Sequence, residues 1–320
     1  MVDILEMTVL FVFSGNSTTF AISPFIQAQA ESLRKLGHTI DYYPIKGKGS
    51  GGYISNIPQL KHYIKKGNYD LIHAHYSLCI MVAVLCFVKV PIVGSFMGND
   101  IIGEYNSKSK FLIKSLPIML LSILVQPFMS YAICKSKDMG KLIYFVPYQI
   151  IPNGINLKLF KPLALKLDTN QKRILFLGNK RDINKNFILL KDAAKYIKHY
   201  NIQIIAPYPL PQSQIIELFS EVDVFVLCSI VEGSPNVIKE AMACNCPIVA
   251  TNVGDVSWLL GNLEGHYICK HDPIDLASKI EQAIEFGQRT EGRQRIIKLK
   301  LDSESIAKRI EKVYEIIKRR

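Results

Sequence analysis

Short apolar runs alternate along this chain with longer stretches whose apolar residues recur at helical spacing. Met7 to Phe13 reads as a buried strand, followed by a polar turn at Ser14 to Ser17. Ser23-Pro24 opens a helix that runs to Leu36 and stops at Gly37. Ile40 to Ile45 is the next strand, and Asn56 to Lys66 looks helical. Leu71 to Ala74, Pro91 to Ser95 and Tyr131 to Cys134 follow as strands with helices between them. A second series starts at Arg173 to Leu177. It continues through a helix over Phe187 to Tyr200 and strands at Gln203 to Ala206, Asp223 to Leu227 and Pro247 to Ala250. Pro162 to Thr169 reads as the linker, and a final helix spans Ser303 to Lys318. Repeated β-α-β units predict parallel sheets, hence an α/β protein of two doubly wound domains facing a central cleft.

Length agrees, because 320 residues suit two domains. With 49% hydrophobic and 21% charged residues the chain can bury two cores, which excludes a disordered protein. The net charge of +12 favours anionic partners: nucleic acid, nucleotide phosphates or an acidic membrane surface. No nucleic-acid module is visible and the basic residues are not interleaved with aromatics, so nucleic acid is not an expected partner. Seven cysteines is an odd number, and Cys244-Asn245-Cys246 is not a C-x-x-C pair. They read as reduced core thiols of a cytoplasmic protein. Asp3 and Glu6 interrupt any signal peptide at the start.

The segment from Phe111 to Tyr131 is very apolar, but Lys114, Pro117, Gln126 and Pro127 break it, so no clean span of ~20 residues exists. Two readings fit. One is a buried helix, the commoner fate of such a run. The other is a helix lying on the inner face of the cell membrane, with Lys108, Lys110 and Lys114 beside anionic headgroups.

Candidate chemistry concentrates at Glu232-Gly233-Ser234-Pro235-Asn236-Val237-Ile238-Lys239-Glu240. Serine is a favoured N-cap and proline a favoured first helical residue, so a helix is expected from Pro235. Its unpaired N–H groups and dipole form an anion site in front of Ser234. Glu240 lies roughly 7–8 Å along the axis. A sugar, a pyrophosphate and a ribose match that layout. Ser-Pro helix starts and glutamates eight apart also occur by chance.

The neighbouring sequence resembles the retaining glycosyltransferases of family 4, which have the GT-B fold. Glu232 to Glu240 looks like their E-x7-E motif, and Ala241 to Asp255 like the helix, strand and Val-Gly loop that follow it. Ile151-Pro152-Asn153-Gly154-Ile155-Asn156 with Phe160 resembles the interdomain signature, and Ile174 to Gly178 with Lys185 the first strand and lysine of the donor domain. The resemblance implies an acceptor-binding, Rossmann-like domain over residues 1–165 and a donor-binding domain over 166–302. It also implies a closing helix, 303–320, that packs back on the first domain. It implies a metal-independent hexosyltransferase without cofactor, taking a nucleotide-sugar donor and a sugar or lipid-linked acceptor, in bacterial surface polysaccharide or glycolipid synthesis.

Roles follow from the same resemblance. Glu232 faces the transferred sugar and Glu240 the ribose. Gly233, Ser234, Pro235, Asn236 and Val237 frame the diphosphate, helped by Lys185 and by Lys180 or Arg181, which are shifted from the usual position of the arginine. Gly15 approaches the donor phosphate. His73 and His75 flank the cleft, His75 on the acceptor side with Gly98. Asp100 orients a sugar hydroxyl or caps a helix. Met97 stands where the family often carries a basic residue before the glycine.

Other readings remain. Gly47-Lys48-Gly49-Ser50-Gly51-Gly52 fits G-x-G-x-x-G, but it follows the second strand and no acid closes the next one, which argues against a nicotinamide dehydrogenase. A mobile basic loop is the expectation there. A nucleotide-sugar epimerase of the same fold and a non-catalytic nucleotide-binding protein are the functional alternatives.

Overall fold

The structure is a computed structural model that describes residues 6–17, 20–106, 110–163 and 171–319. The chain divides into two units: residues 1–103, 112–154 and 303–320 form unit 1, and residues 104–111 and 155–302 form unit 2.

Unit 1 runs β1 (Thr8–Ser14), α1 (Pro24–Arg34), β2 (Thr39–Ile45), α2 (Gly49–Ile54), α3 (Ile57–Lys66), β3 (Leu71–His75) and α4 (Ser77–Leu85). It continues with β4 (Ile92–Ser95), α5 (Asn99–Ile102), α6 (Leu116–Leu124), β5 (Tyr131–Cys134), α7 (Lys137–Gly140) and β6 (Tyr148–Ile150). The strands form one sheet in the order β2-β1-β3-β4-β5-β6, every pairing parallel. A parallel sheet is covered on both faces, so its strands need apolar residues throughout rather than at alternate positions. Leu10 to Phe13 and all of β3 are accordingly buried.

Unit 2 runs β7 (Lys172–Leu175), α8 (Phe187–Ala193), β8 (Ile202–Ile205), α9 (Gln212–Glu221), β9 (Val224–Leu227), α10 (Asn236–Ala243) and β10 (Ile248–Thr251). Then come α11 (Val256–Leu260), β11 (His266–Cys269), α12 (Pro273–Phe286) and α13 (Gly292–Lys298). Its parallel sheet has the order β11-β10-β9-β7-β8. Arg293 ties the unit together. Its guanidinium donates to Phe160 O at 2.7 Å, Leu157 O at 2.8 Å and Ala243 O at 3.2 Å, which joins the chain entering the unit to the carboxyl end of α10.

The last helix, α14 (Ser303–Lys318), packs against α1 within unit 1. Its Tyr314 is fully buried and its hydroxyl lies 2.6 Å from His73 Nδ1.

Three expectations need correction. The Gly47 to Gly52 segment is no mobile loop. It enters α2, with Gly47 at φ +120° so close to Gly52 that an added Cβ would lie 2.7 Å from the Gly52 carbonyl oxygen. The helix expected over Phe187 to Tyr200 ends at Ala193. The apolar segment after Phe111 is not one buried helix but the short α6 with single 3-10 turns on either side, and much of its apolar surface is exposed. Most of the expected linker, residues 164–169, and Lys108 lie outside the described residues; Pro162 and Leu163 are within them. All seven cysteines are buried and unpaired.

Candidate functional site

In unit 2 the chain turns from β9 into α10 through the loop that carries Glu232. Ser229 Oγ donates to Glu232 Oε1 at 2.8 Å, and Lys185 Nζ reaches the same oxygen at 2.5 Å. Both partners of this ion pair are mostly shielded, at 29% and 16% side-chain exposure. Lys185 is steered there by its neighbour. The Asn184 side chain accepts from Val231 N and donates to Val231 O, while its backbone carbonyl accepts from Ile230 N, so two loops are stitched like paired strands. Gly178 leaves room for the lysine, since a Cβ there would come within 3.2 Å of Lys185 Cγ. The floor of the loop is Gly254. Its φ is +55°, and an added Cβ would lie 2.3 Å from Gly233 O and 2.6 Å from Glu232 O.

The helix begins one residue later than the sequence suggested. Pro235 takes the cap position, α10 starts at Asn236, and no side chain caps it. The Ser234 hydroxyl is engaged by Lys239 Nζ at 3.2 Å. The amino end of α10 therefore keeps its N–H groups without a side-chain cap, as an anion site requires. Asn236 Oδ1 is also buried without a partner, and Val237 is half-buried.

A second cluster of charge lies under this helix end. Lys239 is fully buried. Burial lowers its ammonium to about 8, opposed by Asp255 and Glu240. Burial likewise raises Asp255 to about 6 and Glu240 to about 7, with Lys239 pulling both back. Glu240 keeps part of its surface open and its carboxylate has no hydrogen-bond partner among the described residues, so its carboxylate oxygens are available to a hydroxyl. A carboxylate accepts from hydroxyls best when ionised. With an apparent value of about 7, and with the donor's ribose on Glu240 as the resemblance implies, affinity for a nucleotide-sugar is expected to rise about tenfold between pH 6 and pH 8, and Glu240→Gln to flatten that rise. Isothermal titration across the window checks it, and a wild-type profile as flat as the variant's would remove Glu240 from the site.

Lys180 and Arg181 are not gathered into this cluster. Both are exposed, Lys180 with its ammonium 5.5 Å over the Phe187 ring and Arg181 with its backbone N–H bonded to Asn179 Oδ1.

Unit 1 holds a separate cavity of about 330 Å³, lined by Phe13, Ser14, Phe25, Tyr53, His75 and Met97 among others. The two histidines of β3 part company here. His73 is satisfied on both nitrogens, by Tyr314 Oη at 2.6 Å and Ser95 Oγ at 2.7 Å. His75 stacks on it with ring centroids 4.3 Å apart, lines the cavity, and has no partner for either nitrogen. Burial and the nearby Lys135 hold His75 well below the usual histidine range, so it is a neutral imidazole with a donor and an acceptor to offer. Tyr76, at φ +79°, holds the turn after it in a conformation that bulky residues rarely adopt.

Of the two roles expected for Asp100, its contacts are those of a helix cap, at the start of α4. Asp100 is fully buried, and its two oxygens accept from Met97 N, Gly98 N, Ser77 N and Ser77 Oγ at 2.8–3.0 Å. These bonds occupy the carboxylate, which has about four acceptor sites. It fastens the Met97-Gly98 turn, with Gly98 at φ +142°, to the start of α4. Gly15 likewise has structural work: its N–H donates to Ile45 O at 2.8 Å, and a Cβ there would lie 2.7 Å from Pro44 Cβ.

The sequence reading gave no role to Asn184, Ser229, Lys239, Gly254 or Asp255. Gly254 and Asp255 lie in the Val-Gly loop of the resemblance, and Lys239 shares a helix face with Met242 and Ala243, where a charged residue is out of place.

Residues 18–124 match the family described as glycosyl transferase 4-like, and residues 200–285 match glycosyl transferases group 1. A Bacillus subtilis protein named as a teichuronic acid biosynthesis glycosyltransferase is 27% identical over 67% of this chain, and the match spans 59% of that relative's length. An Escherichia coli enzyme named UDP-Gal:alpha-D-GlcNAc-diphosphoundecaprenol alpha-1,3-galactosyltransferase is 24% identical over 69% of this chain and 68% of its own. Among solved structures, Anabaena HepE in complex with UDP superposes with a TM-score of 0.70, at 16% identity, over 97% of this chain and 100% of that one. Two all-parallel sheets and these neighbours make this a protein of GT-B fold, and each half of the chain matches a glycosyltransferase family, 4-like in the first and group 1 in the second.

Proposed function

We propose that this protein is a retaining, metal-independent hexosyltransferase that moves a sugar from a UDP-sugar to a hydroxyl of a sugar or lipid-linked acceptor in bacterial surface polysaccharide or glycolipid synthesis. The observation that carries the reading is the Lys185–Glu232 pair, 2.5 Å apart, just ahead of the uncapped start of α10. The diphosphate takes the helix end and Lys185. Glu232, released from the lysine, faces the sugar. Glu240 accepts from the ribose hydroxyls.

The reaction asks for this charge pattern. As the bond from the anomeric carbon to the phosphate oxygen breaks, positive character grows on carbon and negative charge on the diphosphate. A carboxylate steadies the first, and a lysine with a helix N-terminus steadies the second. The acceptor oxygen then bonds the anomeric carbon, its hydroxyl proton passes to the departing diphosphate oxygen, and UDP is released. Retention rests on the family resemblance. Uridine rests on the UDP held by the Anabaena protein and the UDP-Gal in the name of the E. coli enzyme. For the acceptor, the lining of the unit 1 cavity supports an uncharged hydroxyl-bearing group: aromatic walls and a neutral His75, with no cation among the lining residues.

A thermal-shift screen tests the donor. UDP raises the unfolding temperature more than GDP or ADP at equal concentration. Incubation of UDP-sugars with and without sugar acceptors, read by mass spectrometry, then tests the transfer. If no nucleotide shifts the transition, the donor site is wrong. If donor alone yields an isomeric or free sugar and acceptors change nothing, the protein is an epimerase or hydrolase instead.

A further inference from the structure

Helix α6 is arranged inside out. Its sequence, Leu116 to Leu124, is apolar except for Ser122, yet Ser122 is the one residue of the helix that is buried. The Ser122 hydroxyl bonds to Asp100 O at 2.5 Å and lies 2.6 Å from Ser77 Oγ, so polar contacts hold the inward face beside Leu121, which packs half-buried on the core. The outward face is a stripe at spacing four: Leu116 is 41% exposed, Leu120 56%, Leu124 67% and, one turn on, Phe128 64%. A soluble helix normally points such a stripe inward.

A second apolar element is bolted beside the end of this helix. Gln126 is buried, and its amide oxygen accepts from Tyr144 N at 2.8 Å and Phe145 N at 3.3 Å, while its amide nitrogen donates to Leu142 O at 3.0 Å. Tyr144 and Phe145 are thereby fixed next to α6, with their rings 58% and 62% exposed. The patch is built by a dedicated buried amide, not left by a loose loop.

Charge says what covers it. Between Leu112 and Tyr148 the chain carries four lysines and a single carboxylate, Asp138; Lys135 is buried and Lys141 pairs with Asp138 at 2.7 Å, which leaves the exposed charge of this stretch net positive. Lys137, on α7, and Lys141, which ends it, are both exposed and lead into the aromatic turn. A second copy of this face would bring lysines against lysines. An anionic bilayer brings phosphates to the lysines and an apolar boundary to the leucines and rings. Among the described residues no helix is long and apolar enough to cross a membrane, so attachment here is to one leaflet.

We propose that the Leu116–Leu120–Leu124–Phe128 stripe and the Tyr144-Phe145 turn form a monotopic docking surface by which unit 1 rests on an anionic lipid bilayer. This deepens the lipid-linked acceptor in the proposed function, because an enzyme held on the leaflet meets such acceptors in two dimensions.

The test is flotation of the full chain with phosphatidylcholine vesicles, with and without phosphatidylglycerol. The expected result is flotation with the anionic vesicles, weaker with phosphatidylcholine alone and weaker at high salt. Leu120→Glu/Leu124→Glu lowers the bound fraction by about tenfold or more. It leaves the circular dichroism spectrum and the UDP-induced thermal shift unchanged. Lys137→Glu/Lys141→Glu lowers binding to the anionic vesicles only, which serves if the leucine variant misfolds. Wild-type protein that stays at the bottom of the gradient with anionic vesicles overturns the proposal. So does a wild-type dimer that the leucine variant converts to a monomer without flotation, since the face is then an interface between copies. Flotation is read without turnover, so a protein that transfers sugar to a soluble acceptor but does not float retains the proposed function and loses only this surface.

Discussion

Replacing Glu232 by glutamine lowers kcat about 10²- to 10³-fold, the size typical of removing one preorganised electrostatic group from an active site. The Kd for UDP stays within about threefold of wild type, because the lost interaction belongs to the transition state. Glutamine has the same shape, and its amide oxygen can still accept from Ser229 Oγ, which now lies 2.8 Å from Glu232 Oε1. In the proposed mechanism, what it removes is the charge that answers the developing cation at the anomeric carbon. The same change releases Lys185 from its carboxylate, so nucleotide binding does not weaken. Lys185→Ala gives the opposite pattern, a raised Kd, because the diphosphate loses its nearest cation. Steady-state kinetics beside calorimetry separate the two. A glutamine variant with near-normal turnover reduces Glu232 to a counter-ion that merely stores Lys185.

Gly254→Ala abolishes measurable nucleotide binding and destabilises unit 2 by about 3 kcal/mol or more. Two costs add. Alanine at φ +55° gives up roughly 1–2 kcal/mol of backbone preference. Its Cβ would also meet the Gly233 carbonyl oxygen at 2.3 Å and the Glu232 carbonyl oxygen at 2.6 Å, and both are backbone atoms that cannot rotate away. Relief requires moving the loop that carries Glu232, and with it the entrance to α10. Two units need not unfold as one transition, so calorimetry is the suitable probe. The component from unit 2 falls while that of unit 1 stays. Gly51→Ala is the control: nothing lies within 4 Å of its added Cβ, it sits inside α2, and its φ is not in the left-handed range. That change is neutral or slightly stabilising, since alanine narrows the unfolded ensemble. A Gly254→Ala protein that melts and binds UDP like wild type would show the loop contact to be dispensable.

Much of the architecture could be read from the chain. Tyr131–Cys134 and Ser303–Lys318 match the expected bounds, and β1 to β4 agree within one residue; for β1, β3 and β4 the reason is that a strand buried along its length reads as a mostly apolar run. Missed elements had weak local signals. The strand His266–Cys269 has two polarisable residues at its ends, and α2 is mostly glycine and serine, which local propensity assigns to a loop. The site was legible in outline. Glu232, Lys185 and Glu240 stand where motif spacing suggested something chemical, but the contact between Lys185 and Glu232 joins positions 47 residues apart.

Alternation of apolar runs and helical periods determined the α/β class, the parallel sheets and the helix before which an anion can rest, since these depend on residues near one another in the chain. Tertiary structure decided the rest. Asp100 became a fastening because four donors from two turns converge on it. Of two histidines two residues apart, His73 is satisfied by Tyr314, 241 positions away, and His75 is left facing a cavity. Hydropathy says that Leu120 and Leu124 avoid water, but only the packing of α6 against Ser77 and Asp100 determines that they point outward. Apolar character is a property of a side chain, whereas burial is a property of what the rest of the chain brings to it.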